Sequence, residues 1–494
     1  MAGTVLAVYG SSMKRLLPNG PVWMLALVLL AGALPATPVL PARASAAPAP
    51  VAGPGRRALR LEQIVVSGNE RLGQEEILRA LDLTPGDTLS VEALEHGRLR
   101  LLDTYPVLSG VDLFTRPGSE RGAVILEVDV VEKKRVSFET GYGYHDVNGW
   151  FLTLGGLRFD QPFRTDSNIR LGFRMGFRLV SLDAEWLKPP PLDGDLGADA
   201  RFYIQNEDRS FYSPHCTGAE GWEYTGPCAR DGSGWSEFRQ QIGRAGAEMS
   251  LLQRYGGLVF SLGARAESVK PESTFTDPES DKTYEIDDFP EALSADIENT
   301  VITGLFLRVT RDTRDQVIYP RSGSVALLSL EANTTILGGD RAFTKMALDG
   351  RKLFDLGKDR VFAGRLSAGV TSTGTPYYER FTLGGIYSLR GFKELSLSPA
   401  AGFDGYWLAG CELRFPLIPA IGSPPRLTGL VFFDSGMGWQ RDGQFSERVE
   451  AAAGYGMRLR LPWLGMLGID VGLPITEGRT GENYRVHGSV GFSF

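Results

Sequence analysis

The sequence predicts a mainly β protein: a transmembrane antiparallel β-barrel of about sixteen strands, preceded by one small α+β domain. Three observations lead there. Runs of about ten alternating residues recur from Arg135 onward with no covering helices. No internal apolar run reaches the length of about eighteen residues that a membrane-crossing helix needs. The chain closes on Val486, Gly488, Val490, Phe492 and Phe494 in strict alternation, a lipid-facing stripe ending on a ring at the membrane boundary. The 494 residues are 43% apolar and 22% charged, a balance that suits a barrel because lipid-facing and lumen-facing residues average out.

The first segment reads as an export signal. Lys14 and Arg15 supply a basic flank, Val22 to Leu34 is an apolar stretch too short for a span, and Ala44-Ser45-Ala46 is a small-residue cleavage site before Ala47. The residues before Met13 are unusual for a signal, which leaves the true start codon open. Residues 1–46 are therefore expected to be a signal peptide, and the Ala/Pro/Gly-rich residues 47–58 a flexible linker.

Residues 59–133 carry the pattern of a small α+β domain. Leu61, Ile64 and Val66 open a strand that ends at Ser67-Gly68-Asn69. Ile77, Leu78 and Leu81 have helical spacing, Pro85-Gly86-Asp87 makes a turn, and a second helix carries Leu94, Leu99, Leu101 and Leu102. Val111 and Leu113, then Val124, Leu126, Val128 and Val130, close the unit with two strands. Residues 134–494 are assigned to the barrel. Phe151 to Phe159, Leu171 to Phe177, Leu258 to Glu267, Val361 to Val370, and Ala451 to Arg460 are among its clearest strands. Residues 206–236 and 270–298 read as long polar extracellular loops, and the turns at Pro189-Pro190-Pro191 and Leu356-Gly357 as short periplasmic ones.

Cys216 and Cys228 flank a polar, glycine-rich segment, a spacing that allows a disulfide stapling a surface loop. Metal binding through His215 and Cys216 is the sharper alternative, but no second ligand pair stands nearby, and no metal or other cofactor is expected. Cys411, within the strand-like run Trp407 to Phe415, reads as a small apolar residue. The net charge of −7 argues against nucleic-acid partners. The four histidines (His96, His145, His215, His487) have no catalytic spacing, and neither a G-x-S-x-G elbow nor a P-loop is present. Asp287 and Asp288 are adjacent carboxylates in an acidic, solvated loop. No enzyme is expected.

Five segments carry a family resemblance. They are Val66-Ser67-Gly68-Asn69-Glu70-Arg71 with Pro85-Gly86-Asp87 and Val130-Val131-Glu132; Asp312-Thr313-Arg314-Asp315 with Pro320 and Gly323; Gly384 through Leu389-Arg390-Gly391-Phe392; Gly410 to Pro416; and Phe432-Phe433-Asp434-Ser435-Gly436. In this order, before that terminal strand, they resemble the BamA/TamA family of outer-membrane assembly proteins, in the surface antigen superfamily. Its members join POTRA domains to a barrel of about sixteen strands. Residues 59–133 look like one POTRA domain, and Val490, Phe492 and Phe494 like the family's C-terminal recognition signal.

The resemblance implies that Arg390, in the loop motif Leu389-Arg390-Gly391-Phe392, reaches into the lumen and pairs with Glu412 and Asp434. Alternation independently places Glu412 and Arg414 on the face opposite Cys411, Leu413 and Phe415, hence on the lumen side. The cluster either serves gating or simply pins a long loop inside the barrel. The implied function is assembly: a periplasmic POTRA domain receives unfolded outer-membrane protein clients, and the barrel inserts them into the lipid bilayer through a seam between its first and last strands. Gly141 and Gly143 would weaken the first strand, and Gly488 and Gly491 the last, although barrel-end glycines also serve packing and curvature. A two-partner-type polypeptide secretion pore is the alternative, and a structural or adhesive barrel a third. Only one POTRA-like unit fits the sequence, which leaves little surface for periplasmic accessory proteins and suits a specialised or auxiliary factor.

Overall fold

The computed structural model describes residues 59–490 apart from 106, 133–135, 146–148, 161–166, 177, 191–195, 215–234, 279–280, 282, 286–295, 316–319, 419–424, 442–447, 462–464 and 477–482. The expectations for the signal and linker (1–58), for His215, Cys216 and Cys228, and for Gly491, Phe492 and Phe494 fall outside these residues. The described chain divides into two compact units between Ser137 and Phe138.

The first unit contains β1 (Leu59–Ser67), α1 (Gln74–Leu81), β2 (Thr88–Leu89), α2 (Val91–Thr104), β3 (Leu108–Pro117) and β4 (Ala123–Glu132). The sheet order is β2-β1-β4-β3, with β1 parallel to β4 and the other pairs antiparallel. The short β2 is the one element that the sequence pattern did not announce. Glu76 accepts the Gly73 N–H at 3.0 Å at the start of α1, and Ser90 Oγ accepts the Ala93 N–H at 3.1 Å at the start of α2. These side chains satisfy backbone donors that a helix start leaves open. Leu61, Ile77, Leu81, Leu101, Val111, Leu126 and Val128 form one core between helices and sheet. Burial of each such side chain stabilises the unit by about 1.5–3 kcal/mol. Arg71 and Glu132 form an ion pair at 2.6 Å that ties the α1 approach to the end of β4.

The second unit is a closed antiparallel barrel. Its strands begin with β5 (Val136–His145), β6 (Gly149–Asp160), β7 (Asn168–Gly176) and β8 (Leu179–Lys188). The long β9 (Gly197–Pro214), β10 (Trp235–Tyr255) and β11 (Leu258–Pro271) follow. A small hairpin, β12 (Thr274–Thr276) and β13 (Thr283–Glu285), precedes β14 (Thr300–Asp312), β15 (Gly323–Asn333), β16 (Phe343–Gly357) and β17 (Arg360–Thr371). The circuit ends with β18 (Gly405–Ile418), β19 (Leu427–Trp439), β20 (Glu450–Leu461), β21 (Gly465–Pro474) and β22 (Arg485–Val490). Setting aside the hairpin, sixteen described strands make the wall, and β22 lies hydrogen-bonded beside β5.

The wall is apolar outside and polar inside. Ile204, Leu251, Leu262, Leu366 and Val431 are exposed on the outer face, whereas Asp183, Arg244, Glu267, Asp349, Glu412 and Asp470 are buried on the inner one. A water-soluble protein inverts this distribution; a barrel in lipid requires it, because closure satisfies every ladder hydrogen bond while apolar side chains meet hydrocarbon. Tight turns close one rim. Lys358 and Asp359 join β16 to β17 with φ of 53° and 57°, and Gly256-Gly257 join β10 to β11, both pairs in the left-handed region that a two-residue hairpin turn uses.

Two loop expectations need correction. Residues 206–214 and 235–236 are strand, paired from Asn206↔Gly243 to Pro214↔Trp235, so β9 and β10 extend well beyond the length a bilayer needs. Residues 270–298 likewise contain the end of β11 and the β12–β13 hairpin. Both stretches are polar because strand projecting past lipid no longer needs an apolar face, and a polar strand reads as loop.

Candidate functional site

The candidate site is built by the connection from β17 to β18, residues 372–404, which folds inside the barrel instead of remaining outside it. At its tip, Arg390 is 2% exposed. Its Nε donates to Asp434 Oδ2 at 2.7 Å and its Nη2 to Asp434 Oδ1 at 3.0 Å, while Nη1 donates to Glu412 Oε2 at 2.8 Å. Asp470 Oδ2 stands 3.6 Å from Nη1. The guanidinium also stacks on Phe432, with Cζ 3.7 Å from the ring centroid. The planar fork of arginine matches this set, two carboxylates in plane and a ring against its face. The carboxylates are held in turn: Glu412 accepts from Arg414 at 2.6 Å, and Asp470 accepts from Arg458 Nη2 at 2.8 Å.

Gly391 makes the tip fit. Its φ is +100°, and a Cβ there would lie 2.8 Å from Ala452 Cβ. Opposite it, a Cβ on Gly472 would lie 2.4 Å from the Gly391 nitrogen, so two backbones meet without side chains between them. The Gly391 N–H donates to His487 Nε2 at 3.0 Å. His487 is fully buried on β22, directly opposite Asp470 of β21. Leu389 and Phe392 flank the tip within a core shared with Phe381, Leu383, Leu408 and Ala452.

The loop has a second contact with the wall. The 3-10 turn Tyr377–Glu379 is wholly buried. Glu379 accepts from Arg244 of β10 at 2.8 Å and from Lys345 of β16 at 2.6 Å, and Arg265 of β11 lies 3.3 Å away. Glu267 and Glu331 pair with the same cations. Tyr377 Oη donates to Gln240 Oε1 at 2.7 Å, and its N–H to Asp296 Oδ2 at 3.1 Å. Phe211, Phe275 and Tyr377 pack edge to face above this turn.

Of the residues singled out in the sequence, Arg390, Glu412 and Asp434 meet at one point. Gly141 and Gly143 lie in β5 and Gly488 in β22, strands that neighbour each other. Val490 ends β22 opposite Leu467. Cys411 is a half-buried free thiol on β18. Asp470 and Glu379, and the places of Phe432 and His487 at this site, were not anticipated. Asp470 and His487 are readable in retrospect, each a polar residue set between outward apolar neighbours. Glu379 sits in irregular chain and leaves no periodic signal. Among the described residues no group of His, Cys, Asp or Glu is poised to hold a metal ion.

A closed barrel of sixteen described strands whose lumen is threaded by an arginine-tipped loop defines a class of outer-membrane protein. The Omp85 superfamily domain matches residues 135–494, and the chain belongs to that superfamily. It is 26% identical over 440 residues to the outer membrane protein assembly factor BamA of Nitratidesulfovibrio vulgaris, covering 87% of this chain and 50% of that protein. The chain thus matches about half the length of that curated relative. Two solved structures share the fold. BamA from Haemophilus ducreyi lacking POTRA domains 1–3 superposes with a TM-score of 0.57 at 17% identity, over 88% of this chain and 85% of the other. CdiB from Escherichia coli does so with a TM-score of 0.50 at 13% identity, over 91% and 93%.

Proposed function

We propose that this chain is an outer-membrane protein assembly factor, embedded in the bacterial outer membrane with its N-terminal unit in the periplasm. That unit, read as a single POTRA domain, receives unfolded outer-membrane clients by adding a client strand to an edge of its sheet. The barrel inserts client hairpins into the bilayer through the β5–β22 seam, without covalent chemistry. Periplasmic accessory proteins dock on this unit.

The observation that carries this reading is the bond from the Gly391 N–H to His487 Nε2. It joins the loop tip to β22, the strand that borders β5 at the seam. The relationship to an assembly factor over most of the chain supports the same reading.

The test is client insertion. The purified protein is placed in liposomes and folding of an unfolded model barrel is followed, with Arg390→Ala alongside. Faster client folding with the intact protein, lost in the variant, supports insertion governed by the loop contact. No acceleration from a correctly folded barrel points instead to a two-partner-type secretion pore. A companion series places cysteine pairs residue by residue along Val136–His145 and Arg485–Val490. Insertion that continues undiminished after the strands are cross-linked would sink the seam.

A further inference from the structure

The arginine tip is one end of the loop; the other end is fixed just as densely, on different strands. Tyr377–Glu379 reaches β10, β11 and β16, whereas Arg390 and Gly391 reach β18 to β22. We propose that residues 372–404 form a strut bolted at both ends across the lumen, and that Glu379 is a positioning residue which holds the Arg390 tip against β19–β22.

The charge arrangement argues for this role. Glu379 is fully buried and is the loop's own carboxylate among three wall cations, Arg244, Arg265 and Lys345. Wall carboxylates Glu267 and Glu331 pair those cations from the strands themselves. Each of the three cations thus keeps a wall carboxylate when Glu379 is neutralised. Losing it removes this turn's ionic contact with β10, β11 and β16 and leaves a strand-to-strand network behind, while Lys393 still pairs with Glu237 of β10 at 2.7 Å. Only eleven positions separate Glu379 from Arg390. The intervening chain is pinned, with Phe381 exchanging backbone hydrogen bonds with Phe403, and the Leu383 N–H bonding Ser398 Oγ at 2.6 Å. A shift at one anchor is thereby passed to the other.

The inference concerns closure of the lumen and holds whether the barrel inserts clients or secretes them. Its test is conductance in planar lipid bilayers, using the full chain and the isosteric Glu379→Gln, with Arg390→Ala and the double variant. Lys345→Met attacks the same anchor from the wall. Heat-modifiable migration verifies that each barrel is folded. Open probability is expected to rise about tenfold or more in Glu379→Gln, because removing the charge of one buried partner shifts such an equilibrium by a decade or more. Lys345→Met should move it the same way, and Arg390→Ala should add little to Glu379→Gln. A folded Glu379→Gln barrel that stays as closed as the parent overturns the proposal. So does a double variant in which the two effects multiply in full, since the anchors would then act separately.

Discussion

Arg390 and Asp434 form a two-point ion pair, Nε to Oδ2 at 2.7 Å and Nη2 to Oδ1 at 3.0 Å, between a loop tip and a barrel strand. The Arg390 backbone N–H also points at Oδ2, at 3.3 Å. Both side chains are excluded from solvent, so each charge depends on the other for what water no longer supplies.

Asp434→Asn keeps the size of the side chain and removes its charge. It should weaken loop docking by about 3–5 kcal/mol, the usual cost of breaking a buried pair from one side. Limited trypsin digestion of the folded protein checks this. Cleavage at Arg380 or Lys393 should appear in the variant and stay slow in the parent. Equal rates would mean that the loop is held without this pair.

Gly472→Ala should cost about 1–3 kcal/mol of barrel stability, because the added methyl meets the Gly391 backbone and neither strand nor tip has room to yield. The urea midpoint of the reconstituted barrel measures it. An unchanged midpoint would show that the tip withdraws freely.

Glu132 makes the first unit sensitive to acid. Burial alone would raise its carboxyl, but the side chain and backbone N–H of Arg71 and the Leu72 N–H outweigh this and hold it below its ordinary value of 4.5. The unfolded chain therefore takes up the proton first. Stability from Glu132 is present above pH 4.5 and lost as pH falls through the lowered folded value. Amide exchange across residues 59–132 of the full chain should accelerate on acidification, after correction for intrinsic rates. Glu132→Gln should flatten that dependence; an identical slope in the variant would assign the acid response elsewhere.

Leu366 and Ser367 sit side by side on β17 and face opposite solvents. Leu366 is 56% exposed on the outer face, while Ser367 is buried against Tyr406 Oη at 2.7 Å. Leu366→Arg should lower folding into vesicles by about 2–4 kcal/mol, the cost of a cation near the middle of the lipid. Ser367→Ala should lose about 1–3 kcal/mol, the two neutral hydrogen bonds to Tyr406 Oη and the Leu348 carbonyl. A Leu366→Arg effect near zero would contradict the orientation of the wall.

These positions also show what the sequence reveals and what it conceals. Alternation suffices to set Glu412 inward and Leu413 outward, since a strand places successive residues on opposite faces. It fails for Asn206 to Pro214, where strand rises beyond the lipid and the run Asn206 to Ser210 is polar on both faces. The convergence of Arg390 on Glu412 and Asp434 was expected from the family pattern, not from spacing. Its third carboxylate, Asp470, lies two strands further along the chain than Asp434 and arrives through the β19–β20–β21 meander. Glu379 belongs to irregular backbone whose partners come from β10, β11 and β16, contacts that no local pattern encodes.

The facing glycines at positions 391 and 472 have a consequence for how this protein can change. A Cβ on Gly472 would run into the Gly391 backbone and a Cβ on Gly391 into the Ala452 side chain, so neither position takes a side chain unless a neighbour moves. The two positions are separated in sequence by three whole strands and most of a fourth, yet they constrain a single contact. Changes in the surrounding loops leave this contact untouched, whereas a side chain at either glycine has to move a neighbour.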